Sequence, residues 1–124
     1  MRIKQDRLKV YFLKKRKIIK DSEGGTSEEY GAAIPFKGVC WPASGKVQAT
    51  QYGQRLAYIR NIKIEGKYEV RADEKGRIHY ILKNGMDLEE LDGICLYTGE
   101  MQNPDYKIIA VKPYRFLTLE VEKI

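Results

Sequence analysis

The side chains able to run chemistry at neutral pH are few and scattered. A hydrolase needs a nucleophile with its base, paired acids in a pocket, or a metal. The usual proton carrier near pH 7 is histidine, and the chain has one, His79. It falls in a strand-like stretch beside Arg71 and reads as a surface residue of that strand. Cys40 and Cys95 form no Cys-x-x-Cys pair and lie far from His79 in sequence. They read as reduced, buried thiols acting as small hydrophobes, with a disulfide or metal site as the alternative. The acidic run Asp87, Glu89, Glu90 and Asp92 has calcium-binding side chains but lacks the EF-hand loop pattern. A capped helical turn suits it better, with Asp87 as N-cap, Glu90 closing a capping box and Gly93 as the stop. Gly24-Gly25 is not followed by Gly-Lys-Ser/Thr, so it makes no phosphate loop. The expectation is no catalytic residue, no metal and no cofactor.

Charge is more informative. The 124 residues carry a net +6. Residues 1–20 hold nine Lys/Arg and one Asp, whereas the other 104 residues sum to −2. The basicity therefore belongs to one segment, centred on Lys14, Lys15, Arg16 and Lys17. That segment either meets an anionic partner or is a solvated strand end that keeps an edge from pairing.

The elements that position these groups are short. Residues 8–13 alternate Leu8, Val10 and Phe12 against Lys9, Tyr11 and Leu13, with Phe12 assigned to the core face, and Ile18-Ile19 extends that strand or begins another. Residues 21–31 are polar and glycine-rich, and predict a mobile loop. Residues 32–41 place Ile34, Phe36 and Cys40 on one face and Val39 and Trp41 on the other; Pro35 belongs at an edge or bulge. Val47, Ala49 and Gln51 suggest a strand, and residues 52–59 a bend or short turn before Ile62 and Ile64. The clearest feature is a hairpin. Setting Tyr68 against Leu82, Val70 against Tyr80 and Ala72 against Ile78 leaves Glu74-Lys75-Gly76 as a three-residue loop, with Gly76 where a left-handed residue is required. Further strands are expected at 94–97, 106–112 and 116–122. The run Ile108-Ile109-Ala110-Val111, apolar on both faces, marks a central strand. Short strands with closely spaced turns predict a mainly β chain: one small antiparallel barrel of about six to eight strands, with at most one short helical turn.

No run of about 18 apolar residues offers a membrane-spanning helix, and the charged stretch over residues 1–7 lacks the apolar core of a signal peptide. A cytoplasmic, membrane-free protein is expected. Nine tyrosines, three phenylalanines and one tryptophan on a basic barrel resemble the stacking platforms of single-strand binders. Most of these rings, Tyr68 and Tyr80 among them, alternate into core faces, and the charge beyond residue 20 is slightly acidic. A basic β-barrel nucleic-acid-binding module is thus the alternative function.

Three stretches carry a resemblance. Trp41-Pro42-Ala43-Ser44-Gly45-Lys46-Val47-Gln48-Ala49 leads into Tyr52-Gly53-Gln54-Arg55-Leu56; then come Asp92-Gly93-Ile94-Cys95-Leu96 and Pro104-Asp105-Tyr106-Lys107-Ile108-Ile109-Ala110-Val111-Lys112-Pro113-Tyr114. Together they resemble the small head-completion, or head–tail connector, proteins of tailed phages, particularly those of PBSX-like prophages. The resemblance runs from residue 32 to the end and rests on packing and turn motifs. It implies a structural β-barrel subunit, not an enzyme, that joins copies of itself in a ring between portal and tail-completion proteins. Such a subunit would work first in the bacterial cytoplasm and then in the neck of the particle. The loop at residues 21–31, with Gly24, Gly25, Glu28 and Glu29, would be an assembly loop. Residues 1–20 match least. From their charge we expect Lys14, Lys15, Arg16 and Lys17 to meet packaged double-stranded DNA or a neighbour's acidic interface of Asp87, Glu89, Glu90 and Asp92.

Overall fold

The computed structural model of the chain describes residues 7–124; the charged stretch at residues 1–6 lies outside the described residues. The strands are β1 (Lys9–Lys14), β2 (Arg16–Lys20), β3 (Thr26–Tyr30), β4 (Ile34–Pro42), β5 (Ile59–Ile64), β6 (Tyr68–Ala72), β7 (Ile78–Leu82), β8 (Asp87–Leu88), β9 (Gly93–Cys95), β10 (Tyr106–Pro113) and β11 (Leu117–Lys123). One helix, α1 (Lys46–Tyr52), runs into a 3-10 turn (Gly53–Tyr58). Six strands close an antiparallel barrel in the order β1-β4-β5-β11-β10-β9, with β9 returning to β1. Two small sheets stand outside it: the hairpin β2-β3 and the three-stranded β6-β7-β8.

Alternation fills the barrel. Leu13, Ile62, Ile64, Ile94, Ile108, Leu117, Leu119 and Val121 are buried and form one cluster with Tyr11 and Phe36. Closure gives each of these strands a partner on both sides, which removes the free edges of an open sheet. On β4, Ile34, Phe36 and Cys40 pack on the core as their spacing predicts. Pro35 pairs with β1, but β5 reaches only from Gly38 to Pro42. The proline therefore sits where β4 has no second neighbour. On β1 the core face belongs to Tyr11 and Leu13, and Phe12 lies half-buried on the other side, which corrects the expected phase of that strand.

The β6-β7 hairpin has the register read from its apolar alternation, Tyr68 to Leu82, Val70 to Tyr80 and Ala72 to Ile78. Asp73 N–H donates to Arg77 O at 2.9 Å, and Gly76 takes φ +79°.

β10 lies between β11 and β9, as expected of a central strand, and its apolar run has a second cause. Ile108 faces Val121, yet Ala110 faces Glu120 and Val111 faces Leu119, so a bulge at Ile109 switches the inward phase. The run reads as apolar on both faces because it serves two successive registers.

Three segments differ from expectation. Residues 46–52 are helical rather than extended: Val47 and Ala49 alternate, but Gly45 at φ +90° turns the chain and Gln48 folds back to accept from Ser44 N–H at 3.0 Å. Residues 87–91 form no helical turn. Leu88 is fully buried, pairs with Tyr80 in β8, and carries Asp87 to a side-chain partner across the sheet. The expected loop at 21–31 is a turn, in which Asp21 Oδ1 accepts from Glu23 and Gly25 N–H, followed by β3 paired to β2.

Candidate docking site

The basic segment leaves β1 at the root of the β2-β3 hairpin, and its neighbours there are acidic. Asp92, 1% exposed, accepts from Lys15 Nζ at 2.6 Å, Arg16 N–H at 3.1 Å and Glu89 N–H at 3.0 Å. Burial pushes its carboxyl above the ordinary aspartate value, and the Lys15 ammonium and the two backbone donors only partly offset that. Lys15 also reaches Glu89 at 3.5 Å. The complementarity expected between neighbouring subunits is thus made within one chain. Opposite charges brought together by the β1–β2 bend pair with each other first.

The other basic residues divide. Lys14 is only 8% exposed, and its ammonium donates to Gln102 O at 2.6 Å. Arg16 pairs with Glu28 of β3 at 2.8 Å. Only Lys17 of the four is exposed. The expected anion-contact group is therefore mainly structural: Lys14, Lys15 and Arg16 brace the hairpin. Among the assembly-loop residues, Gly24 takes φ +83° in the turn, Gly25 donates to Asp21, and Glu28 and Glu29 lie along β3.

A groove of about 620 Å³ opens between this hairpin and the β6-β7 hairpin. Arg16 and Ile18 form one wall, and Gly76, Arg77, Ile78 and Tyr80 the other, with residues 89–92 as floor. Leu91 in that floor holds φ +77°, a left-handed conformation unusual for a branched side chain. It is fixed by its N–H donating to Ile108 O at 2.8 Å. The strain therefore presents an aliphatic side chain to the groove.

His79 braces the far wall. Its register position opposite Arg71 is the expected one, but its ring is clamped and not free on the surface. Nε2 lies 2.9 Å from Asp73 Oδ2, and Nδ1 lies 2.9 Å from Asp87 Oδ1. The hydrogen bond to Asp73, then that to Asp87, raises its pKa against the opposing effect of burial. The same bond, with backbone N–H groups, lowers that of Asp73.

A second polar cluster lies under α1. Glu120 is fully buried, and Gln48 Nε2 donates to it at 2.9 Å and to Asn61 Oδ1 at 2.8 Å. Lys112 Nζ lies 3.0 Å from Oε1, a contact of charge and not an aligned hydrogen bond. Burial pushes the Glu120 carboxyl up, but the Gln48 donor, the Lys112 charge and the Tyr52 hydroxyl outweigh it and hold the carboxyl below its ordinary value. Tyr52 is pushed up to about 12 by burial and by its bond to Glu120. Through Gln48 the cluster latches the helix to the barrel strands that carry Asn61 and Glu120. Neither Gln48 nor Glu120 stood out in the sequence; each is one polar residue among many until the fold joins them.

Cys40 and Cys95 are free thiols, Cys95 buried and Cys40 half-buried. Among the described residues no group of three or more His, Cys, Asp or Glu is arranged to hold a metal ion, and no helix is long and apolar enough to cross a membrane. Comparison with family models, with curated proteins and with solved structures finds no match to this chain.

Proposed function

We propose that the chain is a structural subunit of a phage or prophage head–tail joint, assembling as a ring between portal and tail. The observation that carries this reading is the groove: a filled barrel directs two hairpins outward around a half-exposed apolar surface. Of its charged lining residues, Arg16 pairs with Glu28, and Glu89 and Asp92 pair with Lys15. A closed, packed barrel is rigid, and projecting hairpins give it surfaces for neighbours. The reading assigns it no catalytic role. Its partners are portal and tail-completion proteins and further copies of itself, with non-specific contact to packaged DNA. Its place is the host cytoplasm and then the particle neck. Deleting the gene in its phage or prophage should leave heads and tails unjoined by electron microscopy; a normal yield of joined particles would overturn the assignment.

One observation favours the nucleic-acid alternative. Lys63 Nζ lies 5.8 Å from the Trp41 ring centroid and 5.4 Å from that of Phe116, making a mixed basic and aromatic face. Base stacking needs open ring faces, and here the chain's own lysine lies over one face of each ring. The joint is the better reading.

A further inference from the structure

The groove has a mixed lining, in which three exposed aliphatic side chains stand beside the charged Arg77 and Glu90. Ile18 is 53% exposed and Ile78 and Leu91 44% each, and all three line it. Tyr80 beside them belongs to the core cluster, so the patch continues the core outward. Val70, opposite Tyr80 in the hairpin, is half-exposed as well. A contiguous apolar patch of this kind marks a surface that another surface covers.

The chain also carries a side chain suited to fill it. Met101 is 92% exposed, at the tip of a loop held by its own hydrogen bonds. Gly99 N–H donates to Gln102 Oε1 at 2.7 Å and Gln102 N–H to Gly99 O at 3.1 Å. Leu96 and Tyr97 N–H donate to Asp105 at 2.7 and 3.0 Å. The buried Lys14 ammonium, bonded to Gln102 O, ties the loop to β1. A tip pre-organised in this way loses little freedom on docking, and a methionine adapts to an irregular apolar groove. Charge agrees. Glu100 precedes Met101, and Arg77 stands on the groove wall; among the described residues neither is in an ion pair.

We propose that Met101 of one copy seats between Ile18, Ile78 and Leu91 of a second copy, with Glu100 against Arg77. Tip and groove are different surfaces, so the contact is head-to-tail and repeats from copy to copy. This deepens the ring reading and rests on it for closure. A contact below about 1,200 Å² is weak, so it is tested on the full chain at up to about 1 mM. With a photoreactive residue at position 101, irradiation of mixed light and heavy-isotope protein should link position 101 to residues 16–18 or 76–92 of a different copy. Met101→Glu, which disturbs no buried contact, should weaken self-association by sedimentation about tenfold or more. Arg77→Glu and Glu100→Arg should each weaken it several-fold, and an equimolar mixture of the two variants should restore it. Cross-links that are absent or fall elsewhere, wild-type association by Met101→Glu, or a mixture no stronger than either variant would each overturn the contact. Loss of self-contact alongside a gene still needed to join heads to tails would remove this inference and leave the joint reading standing. Intermolecular contact in a chain dispensable for joining would do the reverse.

Discussion

At the scale of single residues, two buried carboxylates do opposite electrostatic work. Glu120 has enough donors to stay ionised, so removing one donor should cost more than removing the charge. Lys112→Met leaves a fully buried carboxylate without its cation, and we expect about 2–4 kcal/mol of destabilisation in urea unfolding. Glu120→Gln in the Lys112→Met background should recover part of it, because the amide needs no counter-charge. A double variant less stable than Lys112→Met alone would show that Lys112 is not the stabilising partner. Asp92 is held as an acceptor by three donors despite the cost of its burial. In Asp92→Asn an amide NH₂ would face donors on one side, for a loss of about 2 kcal/mol.

His79 gives a pH signature at the same scale. Its folded pKa is raised above the ordinary value by Asp73 and Asp87, so the folded state binds the proton more tightly than the unfolded state does. The stability it contributes is complete below about pH 6.5 and is lost as pH rises through the folded pKa. Wild type minus His79→Gln, followed by thermal midpoint from pH 5.5 to pH 9 or so, should shrink in that direction; a difference independent of pH would show that the clamp is steric only.

At the scale of elements, the β2-β3 hairpin is the least supported. It shares no backbone ladder with either other sheet, and a two-stranded hairpin is marginal in water. Its tie to the barrel is its root: Gly31 N–H to Lys15 O at 2.9 Å, the Asp92 hub, and Tyr30 against Gly93. A Cβ at Gly93 would fall 2.5 Å from Pro104 Cγ and 2.9 Å from Tyr30 Cε1. Gly93→Ala should therefore cost about 1–3 kcal/mol and speed amide exchange in residues 16–20 and 26–30 ahead of the barrel. Unchanged hairpin protection would show that the root is held elsewhere. How far such elements could be read from sequence follows from how local their causes are. The β6-β7 hairpin was legible because its alternation, turn glycine and register lie within fifteen residues. Helix α1 was not, because its anchor Gln48 meets Asn61 and Glu120, which lie 13 and 72 residues away. The bulge at Ile109 and the strand pairing of Leu88 were likewise hidden, since each depends on which distant strand lies alongside. The groove itself unites residues from 16 to 92 that carry no shared motif. Only its charges were visible beforehand, and those were assigned between chains when the fold pairs them within one.

At the scale of the whole molecule, the net charge of +6 overstates what an anionic polymer would meet. Affinity for double-stranded DNA falls with salt by about 0.9 in log–log slope for each phosphate neutralised. Lys14 donates to a loop carbonyl, Lys15 to Asp92 and Arg16 to Glu28, so three of the four clustered cations are already engaged. Lys17 and Lys20 are the exposed cations of β2. Two phosphate contacts from that strand give an expected slope near −2, where four would give about −3.6. Lys17→Glu with Lys20→Glu should abolish most of that dependence and leave the fold intact by circular dichroism. Lys15→Glu should act differently, unseating the hairpin by setting a like charge against Asp92 and Glu89, and lowering stability before it touches binding. Titration of duplex DNA between about 50 and 200 mM salt separates the cases. A slope of −3.6 or steeper that persists when Arg2, Lys4, Arg7 and Lys9 are also neutralised would mean that DNA draws the braced cations off their internal partners, and the hairpin root would then be a switch opened by nucleic acid instead of a fixed support.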